Sequence, residues 1–140
     1  MAASCDALVV GISGYHALFD HLQRSIPWYL QQQGVAVPFT FHHNFFYSPA
    51  EAWAEAQRKR YDLFFIDGAL DNPVRRNRKL SECLDEYAPS VPLIGMSVEA
   101  AALRQERTAF DCIFAMHELT TENMVELLVQ RGYISLPSRG

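Results

Sequence analysis

No apolar run in this sequence of 140 residues reaches the roughly 20 residues that a membrane-spanning helix needs. No charged segment followed by a long apolar stretch marks a signal peptide, so the expectation is a soluble, cytoplasmic protein. Cysteine is scarce. Cys5, Cys83 and Cys112 are odd in number and widely spaced, which excludes a disulfide framework and fits free thiols in a reducing compartment. Basic charge is not in excess: the formal net charge of -4 argues against broad nucleic-acid binding. Neither a G-x-G-x-x-G nor a Walker sequence occurs, and Gly11 and Gly14 do not make a phosphate loop, so nucleotide binding has no support. Internal repeats and low-complexity segments are also missing.

What remains is an ordinary globular composition, 49% apolar and 20% charged. It predicts one domain over residues 1–140, with a core from about 5 to 134. Ala7–Ile12 is a continuous apolar run, suited to a strand covered on both faces. Leu18, Leu22, Ile26 and Leu30 recur every four residues and mark one face of a helix. Pro27 predicts a kink there, or two abutting helices, and Gly34 a helix stop. Val35, Val37, Phe39 and Phe41 alternate as a second strand, with His42 and His43 at its end. Ser48-Pro49-Ala50-Glu51 reads as a capping box with proline at the first helical position, opening a helix to about Arg60.

Three further runs each end on a polar side chain. Tyr61–Ile66 closes on Asp67, Val91–Met96 on Ser97, and Asp111–Met116 on His117. Between them, Pro73–Tyr87 predicts a helix burying Leu80, Cys83, Leu84 and Tyr87, and Glu99–Phe110 an alanine-rich helix. Thr120 or Thr121 caps a last helix with Met124, Val125, Leu128 and Val129 on its apolar face, and Leu136 to Gly140 reads as a frayed tail or the start of a linker. Five strands alternating with five helices predict an α/β, flavodoxin-like three-layer sandwich: a five-stranded parallel sheet of order 2-1-3-4-5 with helices on both faces. Ligands of such sheets gather at the carboxyl ends of the strands. Asp67, Ser97 and His117 are therefore the candidate site residues.

From Ala50 to about Tyr133 the chain resembles a response-regulator receiver domain, the CheY-like module of two-component signal transduction. Tyr61-Asp62-Leu63-Phe64-Phe65-Ile66-Asp67 is similar to that family's run into its phosphoacceptor aspartate, and Leu70 and Pro73 match the hydrophobic residue and proline that follow. Val91-Pro92-Leu93-Ile94-Gly95-Met96-Ser97 resembles its fourth strand and hydroxyl residue, and Phe110–Phe114 the lead into its fifth strand. The resemblance implies Asp67 at the phosphoacceptor position and Ser97 and His117 at switch positions. The departures fall on the chemistry. Where the family carries two acidic residues after strand one, this chain reads Ile12-Ser13-Gly14-Tyr15; where it carries a lysine after strand five, this chain has Met116. Phosphoryl transfer gathers negative oxygens and depends on cations to neutralise them. The resemblance is thus to a degenerate pseudo-receiver, not an enzyme, with no cofactor beyond weak Mg2+ binding.

Each of these residues also has a plainer reading. Asp67 can simply accept N–H bonds from the following turn, and Ser97 can cap the helix that starts beside it. Beside Asp67 as a phosphoacceptor, neither Asp20 nor Asp71 has the place expected of a supporting metal ligand, and His16, His42, His43 and His117 would share the edge with Asp67, a set able to bind a transition metal. Arg75, Arg76, Arg78 and Lys79 read as a solvated face at the start of the third helix. The expected function is phosphorylation-independent signalling through a protein partner or a homodimer. The alternatives are a receiver still modified on Asp67 and a metal or small-ligand binder built on the histidines. Two contact surfaces are candidates. One is the face of helices four and five, with Glu99, Arg104, Glu106 and Arg107; the other is an aromatic loop from Phe45 to Tyr47.

Overall fold

The buried runs pair in parallel. In the computed structural model, which describes residues 3–106 and 108–137, the strands are β1 (Ala3–Val10), β2 (Phe39–Phe46), β3 (Leu63–Asp67), β4 (Pro73–Arg75), β5 (Arg78–Lys79), β6 (Leu93–Ser97) and β7 (Cys112–Ala115). The helices are α1 (Ser13–Gln32), α2 (Pro49–Arg58), α3 (Leu80–Tyr87), α4 (Ala100–Gln105) and α5 (Thr121–Gln130). Five strands form one parallel sheet in the order β2-β1-β3-β6-β7. With the small β4–β5 hairpin set aside, this is the expected 2-1-3-4-5 order.

Alternation along each strand feeds two cores. Cys5, Ala7 and Val9 of β1, Phe41 of β2 and Phe65 of β3 face α1 and α5, where they meet Phe19, Leu22, Ile26, Met124 and Leu128. Leu8 and Val10 of β1 with Phe64 and Ile66 of β3 face α2 and α3, meeting Ala52, Ala56, Leu80 and Leu84. Burial on both faces explains why these strands read as unbroken apolar runs. Among the described residues, no helix is long and apolar enough to cross a membrane.

Helix ends follow the local signals. The Ser48 hydroxyl accepts from the Glu51 N–H at 3.4 Å, Pro49 opens α2, and Thr120 Oγ1 accepts from the Asn123 N–H at 3.2 Å to cap α5. Gly34, at φ +85°, lets the Val35 N–H return to the Leu30 carbonyl and closes α1. Pro27 does not divide that helix, which runs unbroken from Ser13 to Gln32 with Tyr15, Phe19, Leu22, Ile26 and Leu30 buried on one side. The packing of that stripe outweighs one missing N–H.

Four expectations are corrected. The second strand lies later than its alternation suggested: Val37 is exposed, and the strand runs on through His42, His43, Phe45 and Phe46. Tyr87 is exposed at the end of α3, and α4 stops at Gln105 rather than reaching Phe110. Residues 138–140 of the expected tail, and Arg107, lie outside the described residues. Finally, Pro73–Lys79 is a hairpin and not a helix. Arg76 and Asn77 both take positive φ, 48° and 63°, the signature of a two-residue turn that only a hairpin uses. The basic run therefore projects on this hairpin, where Arg78 pairs with Glu86, and α3 starts only at Leu80.

The displaced start of α3 leaves it without a cap of its own, since Lys79 makes no side-chain cap bond. Asp71 takes over that role from before the hairpin. Its carboxylate accepts from the Ser81 N–H at 2.8 Å and from the Ser81 hydroxyl at 2.5 Å, and the pair is buried. Asp71→Ala leaves both donors unpaired and is expected to lower stability by about 1–3 kcal/mol in denaturant unfolding, with an unchanged m-value.

Candidate functional site

β3 delivers Asp67 to the carboxyl edge of the sheet, and the chain turns at once into a single 3-10 turn over Gly68–Leu70. Asp67 is only 5% exposed. Its Oδ1 accepts from the Ala69 N–H at 3.0 Å, the turn-closing bond expected of a strand-end carboxylate. Burial pushes its carboxyl above the usual carboxylate range, against the smaller downward pull of that bond. Tyr15, on the first turn of α1, lies within the field of Asp67. Burial and then the Asp67 charge push its phenol up to about 12. Its hydroxyl is buried and finds no partner among the described residues.

The ground above Asp67 is short of positive charge. The cleft there is lined by Ile12, Val98 and Leu103, with Glu99 and Glu106 as its other charged groups. After β1 the chain enters α1 immediately, through Ile12 and the exposed Ser13 and Gly14. Met116 follows β7 and closes over that entry: its methyl lies 3.5 Å from where a side-chain carbon on Gly14 would sit. Ser97 is at the end of β6, where its hydroxyl accepts from the Glu99 N–H at 2.9 Å. It ties the turn before α4 instead of capping the helix itself. His117 is exposed on a 3-10 turn after β7, while its neighbour Glu118 accepts from the Ala115 N–H at 2.8 Å and from Arg104 at 2.7 Å.

The histidines do not gather around Asp67. His42 and His43 are successive strand residues and point to opposite faces, and His117 follows β7, at the far edge of the sheet from β2. Only His16 and His43 meet. They do so around Asp20, which lies 3.7 Å from His16 Nε2 and 3.3 Å from His43 Nε2. Asp20 was not grouped with the histidines on sequence grounds; the signal that could have found it is its i,i+4 spacing from His16 on one helix. The aromatic loop is corrected too. Phe45 and Phe46 are strand residues packed on opposite cores, and of that stretch only Tyr47 is exposed.

No protein-family model matches the sequence, and no curated protein matches it. Solved structures do match. The receiver domain of the sensor histidine kinase PA1611 from Pseudomonas aeruginosa, with a magnesium ion coordinated in its active-site cleft, superposes with a TM-score of 0.64 at 18% identity, over 91% of this chain and 97% of that one. The Francisella response regulator 1452 receiver domain gives 0.55 at 14% identity over 92% and 96%. The response regulator TrrA from Thermotoga maritima, in complex with Mg(2+)-BeF, gives 0.55 at 12% identity over 91% and 98%. The chain therefore has the receiver fold, and the likeness at these identities concerns the fold.

The strained ionisation of Asp67 has a measurable sign. The folded chain holds this proton to higher pH than the unfolded chain, so stability falls as pH rises from the unfolded pKa through the raised folded one. Asp67→Asn keeps the acceptor for Ala69 and cannot ionise. It is expected to raise the thermal midpoint at pH 7 and to make no difference at a pH below the unfolded carboxylate range, as measured by circular dichroism at both.

Proposed function

We propose that the chain works over residues 1–140 as one receiver-like, non-catalytic signalling module that acts by contact with protein and without phosphorylation of Asp67. The observation that carries this reading is the setting of Asp67: a buried carboxylate beneath a cleft whose other charged groups, among the described residues, are acidic. Magnesium, which the receiver fold implies, takes a near-octahedral shell of hard oxygens. Ser13 and Gly14 offer no carboxylate beside Asp67, and Met116 brings a thioether to the place of the expected lysine. Among the described residues no trio of His, Cys, Asp or Glu gathers at Asp67. These residues do not fit the ion beyond weak binding, and no phosphoryl-transfer step through it follows. Asp67, Ser97 and His117 then keep the phosphoacceptor and switch positions as structural posts: two of them close turns, and the third is solvated.

The contact surface supported best is the face of α4, β7 and α5. β7 is the sheet's outer strand, and its Cys112, Ile113 and Phe114 remain partly exposed beside a helix of six residues. Arg104, which donates to the Ile113 carbonyl, and its partner Glu118 set mixed charge beside this strip, an arrangement suited to an exchangeable interface. The rival surface has shrunk to Tyr47.

Incubation with acetyl phosphate and magnesium is expected to leave the intact mass unchanged; a phosphoryl adduct that is absent in Asp67→Ala would establish the alternative, an active phosphoacceptor. In sedimentation velocity, a self-associating wild type is expected to dissociate in Arg104→Glu, which sets two acids against each other, and to be unaffected in Tyr47→Ser. A monomeric wild type at high concentration removes the homodimer and leaves a foreign partner.

A further inference from the structure

The geometry points to a divalent transition-metal site of the zinc class, formed by His16, Asp20 and His43 where α1 crosses the sheet's other outer strand, β2. One donor atom from each residue lies within 4.8 Å of the other two. In a tetrahedral zinc shell with bonds of about 2.0–2.1 Å, neighbouring donors sit roughly 3.3 Å apart. His43 Nε2 and an Asp20 oxygen are already at 3.3 Å, and His16 Nε2 and the other Asp20 oxygen at 3.7 Å.

The donors are held by rigid elements. His16 and Asp20 are one helical turn apart on α1, and His43 is in mid-strand, paired in register with Ala7 of β1. Phe45 stacks on the His16 ring at 4.7 Å, and Phe19 packs against His43 at 5.9 Å. Outer hydrogen bonds fix the tautomer of a metal-binding histidine. Here the Tyr47 hydroxyl lies 3.1 Å from His16 Nδ1, which leaves Nε2 to face Asp20. The His43 side chain is 5% exposed, and its Nδ1 is buried without a partner among the described residues. The Asp20 and His16 side chains are 53% and 43% exposed, so the fourth position opens to solvent and takes water or a group from another molecule.

Two imidazoles and one carboxylate suit zinc and its borderline neighbours, whereas magnesium prefers an all-oxygen shell. This site is separate from Asp67 and stands whether or not the contact reading holds, because its test reads metal alone. Untagged protein dialysed against chelator is titrated with Zn2+ by calorimetry, and with Co2+ by its visible absorption. Wild type is expected to take up one ion per chain, with a rise in thermal midpoint. Tyr47→Phe should weaken binding about tenfold, by analogy with other outer-shell losses, and His16→Gln or Asp20→Asn more. His42→Gln and His117→Gln should bind as wild type does. His43→Gln, a change at a buried side chain, is expected to abolish uptake if it folds; the two half-exposed ligands keep the test decisive if it does not. Absence of saturable uptake by wild type overturns the assignment. So does uptake that survives both His16→Gln and Asp20→Asn, or that falls equally in the His42 and His117 variants.

Discussion

Burial of β1, β3 and β6 on both faces is the constraint from which the rest of the molecule follows. Parallel strands that are covered above and below can be joined only by crossovers, and right-handed crossovers leave few orders for five strands. Once Leu8, Val9 and Val10 lie between two helical layers, every strand must end at the same edge of the sheet. Ser13, Asp67, Ser97 and Met116 come together there for that reason, although they are scattered through the chain. The edge is a consequence of packing, and its chemistry depends on which side chains occupy it.

Those side chains set a carboxylate beneath a cleft with no positive charge among its described lining residues. Asp67 loses water on folding and regains one N–H bond. Around it stand Ile12, Val98 and Leu103, the neutral Tyr15 and a methionine side chain. Burying a carboxylate without a counter-charge is costly, and the raised proton affinity of Asp67 expresses that cost. A strand-end acid thus stands where its surroundings favour the uncharged form. That combination supports contact rather than group transfer as the mode of action.

The two outer strands divide the remaining features. β7 is short and lies beside a short α4, which leaves apolar strand residues partly open between mixed charges. β2 is long and well covered by α1, and its polar interruption at His43 falls within an otherwise apolar face. A histidine there is unexpected for a core position. It becomes intelligible when Asp20 and His16 are seen to reach it from the helix above.

Several features were legible in the sequence because their signals are local. Unbroken apolar runs marked the buried strands and their polar last residues. Four-residue spacing marked the inner face of α1, Gly34 its end, and Ser48-Pro49 and Thr120 the starts of α2 and α5. Other features depended on competition between distant groups. Pro73 at the head of an apolar-periodic stretch predicted a helix from that residue. The positive φ of Arg76 and Asn77, together with Asp71 capping α3 across the hairpin, decided for the hairpin. His42 and His43 looked equivalent until strand register turned one outward and the other toward α1. Local periodicity determined which residues face the core and where strands end. Only the tertiary structure decided which polar groups meet, because that depends on strand order, register and helix crossing, none of which is carried by the spacing of residues along the chain.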